Sequence, residues 1–123
     1  MKMKINTEKA PAAIGPYAQG WKAGDMVFVS GQLGIDMETG KLAEGVEAQT
    51  HASMKNLGAV LAEAGKTYGD IVKTTIFVQD LADFSVVNKV YGSYFGEDYP
   101  ARSCVQIGKL PLGGLVEIEC IAV

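Results

Sequence analysis

Ile71-Val72-Lys73-Thr74-Thr75-Ile76-Phe77-Val78 is the stretch on which the fold turns. Six of its eight residues are β-branched, a bias that disfavours a helix and suits a pleated, half-buried surface. Alternation puts Val72, Thr74, Ile76 and Val78 on one face and Ile71 and Phe77 on the other, so the run reads as a central strand. Upstream, Met54, Leu57, Leu61 and Ala64 recur at helical spacing within residues 46–64, and Gly65 follows as a C-cap. Downstream, Asp83 is a candidate N-cap for a second helix on which Val87, Val90, Tyr91 and Tyr94 repeat, with Gly96 closing it.

Further out, residues 2–6 form a candidate edge strand, and 17–22 and 26–30 pair as a hairpin across Ala23-Gly24-Asp25. Pro11 and Pro16 make the stretch between them a loop. Residues 101–107 and 115–123 supply the last strands, separated by the breaker-rich Gly108-Lys109-Leu110-Pro111-Leu112-Gly113-Gly114. Strands dominate, and two helices can cover only one face of the sheet. The expected class is therefore α+β, a mixed sheet with both helices on one side. No repeat or linker interrupts the chain, so residues 1–123 are expected to form a single domain.

The composition, 48% hydrophobic and 20% charged, belongs to a globular chain, and no apolar run is long enough for a bilayer span. The start lacks the apolar core of a secretion signal, which points to a cytoplasmic address and to free thiols at Cys104 and Cys120. A net charge of −3 with scattered basic residues argues against nucleic acid as a partner. Of the eleven basic residues, ten are lysine and only Arg102 is arginine.

Alternation places Arg102, Cys104 and Gln106 on one face of their strand and Ser103, Val105 and Ile107 on the other. In the last strand Val116, Ile118 and Cys120 oppose Glu117 and Glu119. If the apolar sets meet the helices, the outward face mixes Ile71, Phe77, Arg102, Cys104 and the two glutamates. Such a face suits a subunit interface and implies an oligomer, the alternative being an exposed sheet with scattered apolar residues. Arg102 has two readings there: its planar fork can hold a substrate carboxylate, or it can pair with Glu117 or Glu119 across an interface. Cys104 reads either as a thiolate favoured by Arg102 or as a small buried side chain. His51, the only histidine, defaults to the surface, and no metal-ligand spacing or phosphate-cradling glycine motif is present. No cofactor and no metal are expected.

Ala13-Ile14-Gly15-Pro16-Tyr17, Val29-Ser30-Gly31-Gln32, Asn88-Lys89-Val90-Tyr91, Tyr99-Pro100-Ala101-Arg102-Ser103-Cys104 and Val116-Glu117-Ile118-Glu119 together resemble the RidA/YjgF family of enamine/imine deaminases. The resemblance spans essentially the whole chain. It implies a homotrimer of chorismate-mutase-like subunits, with sheets inward, helices outward and active sites in the clefts between subunits. The implied activity is hydrolysis of reactive 2-imino acids such as 2-iminopropanoate (2-aminoacrylate) and 2-iminobutanoate to 2-oxo acids and ammonia.

Carried onto this sequence, the resemblance makes Arg102 the carboxylate anchor and Glu117 the residue that manages water. Tyr17, Gly31, Asn88 and Cys104 then join Arg102 in binding substrate, Cys104 through its backbone. Each of these also has a plainer reading: Tyr17 as a core aromatic, Gly31 as a strand-ending glycine, Glu117 as a rim charge. Met37 stands where the family often has proline, and the segment from Tyr94 to Pro100 is short. Members of the family have also been described as ribonucleases that inhibit translation and as chaperone-like proteins. A single histidine cannot form the acid/base pair that metal-free RNA cleavage usually uses. A non-catalytic trimer that senses small acids is the stronger rival.

Overall fold

The run at 71–78 forms a strand with a neighbour on each side in the computed structural model, which describes residues 1–123. In chain order the elements are β1 (Lys2–Ile5), β2 (Gly20–Ala23), β3 (Met26–Leu33), β4 (Ile35–Asp36), β5 (Lys41–Leu42), α1 (Gly45–Glu63), β6 (Ile71–Val78), α2 (Phe84–Gly92), β7 (Ala101–Gln106) and β8 (Val116–Ala122). Six strands form one sheet in the order β1-β2-β3-β8-β6-β7. β4 and β5 make a separate hairpin whose two-residue strands are too short for alternation to reveal. Every pairing is antiparallel except β6 with β7. A parallel pair needs a crossover, and α2 supplies it.

Both helices cover one face, as the α+β reading expects: α1 packs on β3 and β8, and α2 packs on α1. Val27, Val29, Ile76, Val78, Val116 and Ile118 point from the sheet toward Met54, Leu57, Leu61 and Val87, and all are buried. Each such side chain contributes about 1.5–3 kcal/mol relative to leaving it in water. α1 stops where expected. Gly65 takes φ +76°, its N–H reaches the Ala62 carbonyl at 3.0 Å, and Lys66 N–H reaches Leu61 at 2.9 Å, closing the helix with a left-handed residue.

α2 departs from expectation at both ends. Asp83 makes no side-chain cap; Asp80 instead accepts from Ala82 N–H at 2.9 Å and opens a 3-10 turn ahead of the helix. The helix ends at Gly92 rather than near Gly96, as Ser93 Oγ donates to the Val90 carbonyl at 2.5 Å and the chain continues in single turns to Phe95. The expected strand at 17–22 begins only at Gly20. Just before it, Gln19 is 2% exposed, donates to the carbonyls of Thr7 and Pro11 at 3.0 and 2.8 Å, and accepts from Thr7 N–H at 2.7 Å. Ser30 Oγ donates to the Ala18 carbonyl at 2.6 Å, so the irregular loop is fastened to β3 as well.

The face assignment needs two corrections. A bulge in β6 between Ile71 and Lys73 inserts Val72 as an extra residue, so Ile71 is buried against the helices and Val72 is 43% exposed. The parallel register then sets Arg102 beside Thr74, Cys104 beside Ile76 and Gln106 beside Val78, all on the helix-covered face. Glu117 and Glu119 lie beside Phe77 and Thr75 on the opposite, open face. Alternation holds within β7 and β8 and fails in β6 only at the bulge; the relative phase of β7 and β8 depends on strand pairing, which alternation does not encode. The open face consists of Phe28, Val72, Phe77, Val105 and Ile121 with Lys73, Glu117 and Glu119, still a mixture of apolar and charged groups.

Candidate active site

The site-bearing residues fall into two groups on opposite faces of the sheet. Arg102 is the second residue of the edge strand β7, and it leans onto α2. Its Nη1 donates to Asn88 Oδ1. The guanidinium carbon lies 5.3 Å from the Phe84 ring centroid and 5.4 Å from that of Tyr91. Asn88, Tyr91, Gly92, Tyr99, Pro100 and Arg102 line a cleft of about 420 Å³. Arginine has no acceptor, so Asn88 must turn its oxygen to it and present its NH₂ elsewhere. The remaining guanidinium donors and this amide form a set suited to an anionic acceptor such as a carboxylate.

Cys104 is half-buried and packs against the core. Burial pushes its thiol above the ordinary cysteine value, and nearby Arg102 only partly counters this. A protonated thiol is a weak nucleophile, so the geometry favours the small-side-chain reading. On its outer side β7 has no strand neighbour, leaving a backbone edge open beside Arg102 and Cys104.

The second group surrounds Glu117, at the start of β8 where it runs against β3. The β3 register shifts between Val29 and Gln32, so Ser30 and Gly31 bulge at this point. A Cβ on Gly31 would stand 2.8 Å from Glu117 Cδ and 3.1 Å from Oε1. Only glycine lets the carboxylate lie against the strand. Tyr17, at 53% exposure, is no core residue; it lines the same pocket of about 560 Å³ together with Ile14, Gly31, Leu112 and Glu117. Burial first, and then neighbouring Glu119, raise the Glu117 carboxyl above the usual glutamate range. Glu119 is exposed, so burial separates two acids that alternation alone leaves equivalent.

Arg102 and Glu117 therefore do not meet within one chain, and the ion-pair reading of Arg102 with either glutamate fails in that chain. Phe84, Tyr91 and Tyr99 around the arginine were not among the expected site residues; the i, i+4, i+7 spacing of Phe84, Asn88 and Tyr91 is the signal that marks them. Leu112, the one non-glycine residue with positive φ (60°), sits exposed on the rim of the Glu117 pocket. His51 is not a free surface residue: its Nδ1 lies 2.8 Å from Tyr94 Oη, between α1 and the segment after α2.

An anion-seeking donor set and a half-buried carboxylate, both opening on solvent, describe a protein that handles small organic acids. The chain belongs to the endoribonuclease L-PSP family, whose model matches residues 7–123. The resemblance to RidA/YjgF proteins is borne out by the relatives within it. The 2-iminobutanoate/2-iminopropanoate deaminase of Salmonella typhimurium is 52% identical, over 100% of this chain and 98% of its own. The chloroplastic Reactive Intermediate Deaminase A of Arabidopsis thaliana is also 52% identical, over 98% of this chain, which spans 65% of that longer protein. The crystal structure of Escherichia coli TdcF with bound serine superimposes with a TM-score of 0.95 at 46% identity, covering 98% of each chain. No helix here is long and apolar enough to cross a membrane.

Proposed function

We propose that this protein hydrolyses reactive 2-imino acids, of the 2-iminopropanoate and 2-iminobutanoate type, to 2-oxo acids and ammonia. The observation that carries the reading is the division of the chemistry: a carboxylate-seeking arginine on one face and a half-buried glutamate on the other. We infer that a neighbouring copy brings the two together, in a homotrimer of chorismate-mutase-like subunits with the open faces inward. The open face supports this with Phe28, Val72 and Val105 each more than 40% exposed, and so does the unpaired edge of β7.

In this reading Arg102 and the Asn88 amide hold the substrate carboxylate, and Tyr17 and Gly31 bound the pocket in which the imine carbon sits. The Cys104 backbone closes it. Water adds to that carbon as Glu117 takes one of its protons; the nitrogen gains a proton, and the carbinolamine collapses to the ketone with loss of ammonia. A carboxyl raised above its ordinary range is better matched to exchanging protons near neutrality. The serine found in the Escherichia coli relative carries the carboxylate and the α-nitrogen that such a site would recognise.

The test is to generate 2-iminobutanoate in situ with a dehydratase and follow 2-oxobutanoate. The wild-type chain should accelerate its appearance well beyond solvent hydrolysis. Unchanged rates alongside measurable binding of 2-oxobutanoate would instead identify a sensor. Glu117→Gln should lower kcat about 100-fold while KM moves no more than a few fold. Wild-type kcat should rise with pH through the Glu117 titration, because the carboxylate is the active form, and the rise should vanish in the variant. Gly31→Ala should cost at least about tenfold in kcat/KM, since the new methyl displaces the Glu117 carboxylate.

A further inference from the structure

Arg102 is a long side chain on an exposed edge strand, and such a side chain ordinarily samples many rotamers. Here one stripe of α2 restrains it from three positions. Asn88 takes one N–H, and the rings of Phe84 and Tyr91 lie 5.3 and 5.4 Å from the guanidinium carbon, within cation–π range. Tyr91 is itself immobilised. It is 3% exposed, its hydroxyl is 2.7 Å from Thr74 Oγ1, and its ring packs 4.9 Å from that of Phe95. Thr74 is fully buried and stands beside Arg102 in the β6–β7 register. The Tyr91 hydroxyl thus points into the core, where it cannot touch a ligand in the cleft.

We propose that Phe84 and Tyr91 are positioning residues for substrate binding: their rings hold the Arg102 guanidinium in a set orientation, and Thr74 fixes Tyr91 for that task. The inference rests on the reading of Arg102 as the carboxylate anchor. Rings beside the planar group leave its N–H edge for in-plane bonds, the geometry a carboxylate needs. An unrestrained fork would bind the same carboxylate more weakly, because its rotamers would have to be ordered on each encounter. The effect belongs to KM rather than kcat, since the arginine holds substrate and transition state alike.

The experiment uses the full chain, with 2-iminobutanoate generated in situ. Phe84→Leu should raise KM about tenfold with kcat within about twofold, and Phe84→Tyr should bring KM back to within about threefold of wild type. Thr74→Val removes only the hydroxyl bond to Tyr91, at a fully buried position, and should raise KM about threefold. Arg102→Lys should cost about 50-fold in kcat/KM in the wild-type background but under about tenfold beside Phe84→Leu, because the fork's advantage has already been lost. Strict additivity, or unchanged KM in both Phe84→Leu and Thr74→Val, overturns the proposal. If the wild type shows no turnover, the deaminase reading fails by itself. The same variants are then ranked by calorimetric binding of 2-oxobutanoate, where the same order supports the clamp and a flat order overturns it.

Discussion

Arg102→Ala is expected to lower kcat/KM for 2-iminobutanoate about a thousandfold. Removing one member of a charge-assisted, bidentate pair in a partly desolvated cleft costs about 4 kcal/mol, and each 1.4 kcal/mol is a factor of ten. No neighbour replaces the lost charge: Arg102 is the only arginine, and Lys73, the lysine nearest in the sheet, points to the open face and donates to Ser103 Oγ at 3.0 Å. The fold should survive, because Arg102 is exposed and takes no part in the core. Steady-state kinetics beside a melting curve separate the two quantities. Retention of more than about a tenth of the wild-type kcat/KM by a folded variant would remove the arginine from the carboxylate site.

Mixing two dead variants should restore activity. Arg102→Ala and Glu117→Gln chains each lack one half of the proposed site, so each homo-oligomer is inactive for a different reason. In oligomers assembled from both at equal amounts, one site draws its arginine from one chain and its glutamate from the next. Both are intact in about a quarter of the sites when chains assort at random around a closed ring. Co-refolding the two variants should therefore recover about a quarter of wild-type activity from a background near zero. No recovery, with mixed oligomers verified by mass, would mean that the halves do not combine across subunits.

Much of this was legible in the residues, and the part that was not has a definite cause. Helical spacing located α1, and the β-branched run located β6, because both signals are local. The Pro100-Ala101-Arg102-Ser103 motif pointed by resemblance to Arg102, the residue proposed as the anchor. The face that Arg102 occupies differs from the one alternation suggests, since its phase against β8 is set by the parallel pairing of β7 with β6. Long-range register has no signature within one strand. Glu117 could not be told from Glu119 by alternation, yet the Gly31 bulge on a different strand distinguishes them at once. α2 hid its second role for a related reason: Tyr91 is a core residue by burial and a neighbour of Arg102 by contact, and sequence spacing reports only the first.

Gln19 gives the stretch ahead of β2 a property that its lack of secondary structure conceals. One buried amide joins Thr7 and Pro11, and Ser30 ties the same stretch to the strand that carries Gly31. Tyr17 is two residues from that anchor. The loop's conformational entropy is thus surrendered during folding rather than at each encounter with a ligand. An irregular segment in this protein can behave as a preorganised wall, and the pocket around Glu117 is delivered to solvent already shaped.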